Sequence, residues 1–195
     1  MLAIFLERII SMLKLYSVSD EYIRYLRVEN HITHVFESKE GHRTHNRKYI
    51  GIVFSINNYN HFAPLSSPKV SDYIDGKIRS SNKSILRITK VDKGQEILLS
   101  TIKLLNMIPV PDSELLSYNP NEETDLKYKA IIKDEIRWIE RNDKNILENS
   151  RMIYNLKIHE SERRTTKNSK LLNAILPFKE LDKLHDGWRE LRNNS

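Results

Sequence analysis

The chain has 195 residues, which makes one large domain or one domain with an extension, and 39% of them are hydrophobic, enough for a packed core rather than a disordered chain. It has no cysteine, which excludes disulfides and thiolate metal sites and fits a reducing cytoplasm. A net charge of +6 and a pI near 9.4 favour a polyanionic partner.

That charge is unevenly placed. Residues 112–150 hold ten acidic and six basic residues, so the remainder carries +10. A polyanion-facing surface is therefore expected from the N-terminal two thirds and the C-terminal tail. No segment is long enough to span a membrane. The first eleven residues, MLAIFLERIIS, are apolar but carry Glu7 and Arg8 in the middle. They lack a basic leader and a small-residue cleavage site, which argues against a signal peptide.

Residues 12–18 alternate as a short strand, with Leu13, Leu15 and Ser17 on one face. Ser19 is a good N-cap, and Asp20 and Glu21 suit the positive end of a helix dipole. A helix over 20–28 follows, with Tyr22, Ile23 and Leu26 on its apolar face. Residues 28–48 are irregular and polar. The pairs His31/His34 and His42/His45 have a spacing that binds zinc on a helix. Gly41, the lack of apolar periodicity and the absence of a matching third ligand argue instead for a solvated, cationic loop without metal.

β-Branched and aromatic residues crowd 49–56, a run too short for an ordinary helix, and predict a strand. Asn57 and Asn58 form a tight turn, and residues 59–65 return as a second strand. Pro64 lacks a backbone donor, which predicts a sheet edge there. The antiparallel return brings Ser66 and Ser67 beside Tyr49 and Ile50. Arg47 and Lys48 arrive at the same end as Lys69. Two hydroxyls, two or three cations and a phenol gathered at one end would hold a phosphate. The alternative is a Ser/Pro turn with solvated basic flanks.

Residues 70–83 read as a polar linker. Residues 84–89 and 97–104 form a second hairpin across Asp92-Lys93-Gly94, and 107–111 are an extended edge or crossover strand bounded by prolines. Apolar residues at Tyr128, Ile131, Ile132, Ile136 and Ile139 then mark a helix over 125–141 with one buried stripe. Asn142 caps the next helix, 143–158. Trp138 reads as a core or interface anchor. The polar stretch 161–170 holds Arg163, Arg164, Lys167 and Lys170, either as a solvated loop or as a phosphate-contacting arm. A last helix ends near residue 191.

The order of pieces resembles the ToxN/AbiQ family, protein toxins of type III toxin–antitoxin systems. The matching motifs are MLKLYSVSDEYIRYLR (12–27), KYIGIVF (48–54), FAPLSSPK (62–69), NMIPV (106–110) and KYKAIIKDEIRWIERNDKNI (127–146). The resemblance implies an α+β fold, a strongly twisted antiparallel β-sheet with flanking α-helices and a MazF/Kid-like barrel architecture. It also implies one toxin domain over 12–195, with 1–11 as an extension or a non-native start.

The activity it implies is metal-independent endoribonuclease cleavage in the bacterial cytoplasm, with no cofactor. The implied partner is a repeated pseudoknot RNA antitoxin, which the toxin processes and which inhibits it in a closed toxin–RNA assembly until phage infection. Carried over by position, the catalytic residues are Ser66, Ser67, Lys69 and Arg47. Arg43 falls on a family tyrosine, and Lys48, Tyr49, Arg163, Arg164 and Lys167 are candidate RNA contacts. Two other readings share the charge pattern: a non-catalytic RNA-binding protein, and a protein–protein adaptor built on the acidic helices.

Overall fold

In a computed structural model of the chain, which describes residues 14–37, 47–56 and 58–193, the strands come first and the helices follow. The expected extension 1–11, the pair His42/His45, Arg43 and Asn57 lie outside the described residues.

Strand β1 (Leu15–Val18) leads into α1 (Asp20–Arg24), which runs on through a wider π turn to Glu29. Ser19 caps it as expected, its hydroxyl oxygen accepting the Tyr22 N–H at 3.2 Å. Next come the hairpin β2 (Tyr49–Ile56) and β3 (Tyr59–Ser66). A miniature hairpin, β4 (Tyr73–Ile74) and β5 (Lys77–Ile78), follows it. The second long hairpin is β6 (Ile85–Asp92) and β7 (Gln95–Lys103). Short strands β8 (Ile108–Pro109) and β9 (Leu115–Ser117) precede the helices. These are α2 (Leu126–Arg141), α3 (Asp143–Ile158), α4 (Glu160–Arg163), α5 (Ser169–Ala174) and α6 (Phe178–Asn193). Among the described residues no helix is long and apolar enough to cross a membrane.

The main sheet runs β6-β7-β3-β2-β1-β9, with β8 also on β3, and all its pairs are antiparallel. The path is open: β6 and β9 are its ends, and no pairing among the described residues closes it into a barrel.

Three local expectations are corrected. Pro64 is not at a sheet edge, because β3 lies between β2 and β7. Leu65 N–H donates to the Lys48 carbonyl on the β2 side at 2.8 Å, so the nitrogen of Pro64 faces the other way. There the ladder is interrupted between β7 and β8 by the turn Leu104–Asn106, and the missing donor costs nothing. The hairpin register also differs. Near the turn Ile56 pairs with Tyr59, but beyond an irregularity between Ile50 and Phe54 it is Tyr49 that faces Pro64. Two extra β2 residues thus carry Ser66 past Tyr49 to the level of Arg47. Finally, the start of the polar loop is not simply solvated: Ile32 and Val35 are buried, and Arg27 Nη1 holds the Val35 carbonyl at 2.7 Å.

Alternation then assigns the two faces of the sheet. Leu15, Ile50, Ala63, Leu65, Ile102 and Leu86 form the apolar face, which belongs to the buried core with the helices. Tyr16, Tyr49, Pro64, Ser66, Thr101, Lys103 and Arg87 share the other face. The Asp125 side chain caps α2, accepting from Lys127 and Tyr128 N–H at 2.9 and 3.1 Å. Asn142 stands before α3 as expected, but its amide turns back to the Trp138 carbonyl at 2.8 Å and closes α2 instead.

One acid in α2 is out of place in such a core. Glu135 is buried, and burial pushes its pKa up from 4.5 to about 7, with the Ser100 hydroxyl pulling the other way. The folded state therefore binds this proton more tightly than the unfolded chain. Stability falls as pH rises from 4.5 through 7. Glu135→Gln should leave the melting temperature near that of the parent at pH 5. At pH 8 it should stabilise by up to about 3 kcal/mol. Equal melting temperatures of the two proteins at both pH values would refute this.

Candidate active site

Ser66 is the last residue of β3 and faces Thr101 of β7, whose hydroxyl approaches the Ser66 carbonyl at 3.4 Å. Its side chain is nearly covered, with the residue 2% exposed, whereas Ser67 is exposed. Lys69 follows, also exposed, at the head of the single 3₁₀ turn Val70–Asp72. The chain is fixed there by a reciprocal pair of bonds. Lys69 N–H donates to Asp72 Oδ2 at 3.0 Å, and Asp72 N–H donates to the Lys69 carbonyl at 2.8 Å. Asp72 is itself buried against Arg87 of β6, whose Nη2 lies 3.1 Å from Asp72 Oδ1.

Arg47 comes to this end of the hairpin, as the sequence implied, but it is buried at 1% exposure. Its Nη1 donates to the Leu65 carbonyl at 2.9 Å and its Nε to the Glu37 carbonyl at 3.2 Å, with the guanidinium 4.3 Å from the Phe36 ring centre. The side chain thus grips the residue before Ser66. Tyr49 shares the Ser66 face and is buried between Tyr16 and Pro64 in the ladder.

Lys48 goes to the opposite face. Its Nζ donates to Ser17 Oγ at 3.1 Å and sits 4.0 Å from the Tyr118 ring centre, and burial pulls its pKa down. Arg163 at the end of α4, and Arg164 and Lys167 on the segment that joins α4 to α5, are exposed, and Arg164 is bonded to Glu160 and Asn173. His61 is buried with its Nε2 3.3 Å from Asp182 Oδ1 and its ring against Tyr154 and Phe178.

Two further cations at this site have no local signal in the sequence. Lys103 of β7 lies on the Ser66 face two residues from Thr101, and Arg87 pairs with Thr101 from the other side. The Lys103 pKa is lowered, first by burial; Arg87, Lys69 and Arg47 lower it further, and Asp72 opposes them. Four cations and one carboxylate therefore share one electrostatic neighbourhood. A bound phosphate would relieve their mutual repulsion. Only the long-range pairing of β3 with β7 brings them together, so a sequence signal would have needed that register.

A cleft of about 560 Å³ between β6 and α2 holds none of these residues. There Lys90 and Arg137 are each 3.1 Å from Asp134, which leaves less uncompensated positive charge for a polyanion. The Ser66 end can do two things chemically: offer hydroxyls beside a reacting oxygen, and stabilise negative charge developing on phosphorus.

A family model described as Toxin ToxN, type III toxin–antitoxin system, matches residues 14–185. Endoribonuclease AbiQ of Lactococcus lactis subsp. lactis is 32% identical over 153 residues, covering 77% of this chain and 78% of that protein. Endoribonuclease ToxN of Pectobacterium atrosepticum is 26% identical over 144 residues, covering 74% and 81%. A solved structure from work on selective toxin inhibition by a non-coding RNA pseudoknot in type III systems is similar with a TM-score of 0.74. It covers 91% of this chain and 98% of its own at 23% identity, and bears on the fold alone.

Proposed function

This chain belongs to the ToxN toxin family of type III toxin–antitoxin systems, and on that premise we propose that it is a metal-independent endoribonuclease toxin. The observation that carries the reading is the register that sets Ser66 across from Thr101 and Arg87 with Lys103 on the same face, while Arg47 holds the Leu65 carbonyl and Lys69 is clamped on Asp72. In the proposed reaction the ribose 2′-oxygen attacks its own phosphorus. The P–O2′ bond forms and the P–O5′ bond breaks, leaving a 2′,3′-cyclic phosphate and a 5′-hydroxyl. The proton of the 2′-hydroxyl leaves through a serine hydroxyl that positions or relays it, and the departing 5′-oxygen takes up a proton. Lys69 and Lys103 stabilise the charge that builds on the phosphorane oxygens. Arg47, held on the Leu65 carbonyl, acts by positioning Ser66.

The substrates in this reading are cellular or phage mRNA in the cytoplasm. The inhibitor is a repeated pseudoknot RNA processed by the toxin and bound in a closed assembly, released as a phage defence. Kinship with the MazF/Kid toxins enters as a shared twisted-sheet platform. The burial of Ser66 and the engagement of Arg47 with backbone favour a second reading, a non-catalytic RNA binder. The two are separated by RNA from expressing cells. An endoribonuclease leaves new 2′,3′-cyclic phosphate and 5′-hydroxyl ends; a binder leaves none, although its RNA affinity still falls steeply with salt.

A further inference from the structure

We propose that the β4–β5 hairpin is a binding platform for the single-stranded RNA nucleotides that flank the scissile phosphate, an inference that rests on the endoribonuclease reading. The hairpin follows Lys69 across the single turn Val70–Asp72. Four residues of extended chain span at most about 14 Å, so Tyr73 lies within that distance of Lys69.

Its root is fixed. Arg79 N–H donates to the Asp72 carbonyl at 2.9 Å, closing the hairpin on the same residue that clamps Lys69. Arg87 then holds both legs: Nη2 lies on Asp72 Oδ1 at 3.1 Å and Nη1 donates to the Ser80 carbonyl at 2.7 Å. Asp75 and Gly76, with φ of 50° and 74°, close the tip in a tight turn.

What this small anchored element displays does not suit water. Val70 is 92% exposed, Tyr73 37% and Ile74 48%, all within five residues. Lys69, Lys77 and Arg79 are exposed along the same stretch, against one exposed acid, Asp75. The pairing sets Tyr73 with Ile78 on one face and Ile74 with Lys77 on the other. An aromatic ring on one face, an aliphatic side chain beside a cation on the other, and a positive excess along the element complement a partner that has planar apolar rings and a row of negative charges. Single-stranded RNA has both, with bases to stack on Tyr73 and phosphates for the cations. Bases inside a duplex are not free to stack in this way.

The test uses the full chain and a cut mapped with the wild-type protein in total cellular RNA. Two synthetic RNAs are compared, a trinucleotide spanning that bond and a dodecamer with the same bond at its centre. The readout is kcat/KM for the dodecamer divided by kcat/KM for the trinucleotide. Tyr73→Ala should lower this ratio about tenfold, and Tyr73→Phe, which keeps the ring, should restore it. Lys77→Ala with Arg79→Ala should also lower it and should flatten its salt dependence. A ratio unchanged in these variants overturns the proposal, and equal losses on both RNAs count as unchanged. A wild-type protein that cuts neither RNA overturns the endoribonuclease reading instead, and the platform falls with it.

Discussion

Ser66→Ala and Lys69→Ala are each expected to slow RNA cleavage by about 10²–10³, the usual cost of removing one contact to a transition-state charge or reacting oxygen. Neither should disturb the fold. Lys69 is exposed, and the alanine at 66 removes a hydroxyl while leaving the backbone pairing with β7 in place. Melting temperatures within a few degrees of the parent would confirm that the loss is chemical. The structure adds a control that the motif alone does not suggest. Ser66 is covered and Ser67 is exposed, so Ser67→Ala must be measured beside it. If Ser67→Ala is inactive and Ser66→Ala is not, the reacting hydroxyl moves by one residue. If Ser66→Ala, Ser67→Ala and Lys69→Ala all keep full activity, the site is elsewhere.

Asp72→Ala should have the largest effect on stability, a loss of about 3–5 kcal/mol, because it leaves the Arg87 guanidinium charged in a buried site without its carboxylate. For a chain of this length that lowers the melting temperature by roughly 6–20 °C. Joining Asp72→Asn to Arg87→Met removes both charges, so the double variant should be more stable than the sum of the single losses allows. The expected coupling is about 0.5–3 kcal/mol. Losing Asp72 also frees Lys69, since the same carboxylate receives the Lys69 N–H. At a temperature where the variant is folded, kcat should therefore fall more than KM rises. Additive losses in the double variant would show that the pair is not coupled.

What could be read from the sequence was local. The Ser19 cap needs only its neighbours, and the stripe over 125–141 repeats every turn of helix. The bounds of α3 fall where the apolar spacing put them. The hairpin at 49–66 was legible because its strands are dense in β-branched residues and joined by asparagines. Its register was not, because the irregularity between Ile50 and Phe54 has no composition of its own beyond Gly51. Arg47 read as a cation for phosphate, yet it donates to the carbonyls of Leu65 and Glu37, which no side-chain pattern announces. Lys48 read as basic surface, but strand alternation turns it to the face of Ser17 and Tyr118. The β4–β5 hairpin was missed for a different reason: two-residue strands carry too little pattern to stand out from a polar linker.

In the proposed reaction the substrate's own 2′-hydroxyl is the nucleophile, and protein cations, not a metal, stabilise the charge. An oligonucleotide cut by the wild-type protein at one mapped bond should be made in two forms, all-ribose and with a single 2′-deoxy residue 5′ to that bond. Both are incubated with the protein in EDTA. The all-ribose strand should be cut to a 2′,3′-cyclic phosphate, and the deoxy strand should stay intact at that bond. Cleavage of the deoxy strand there, or loss of all cleavage in EDTA, would contradict this mechanism.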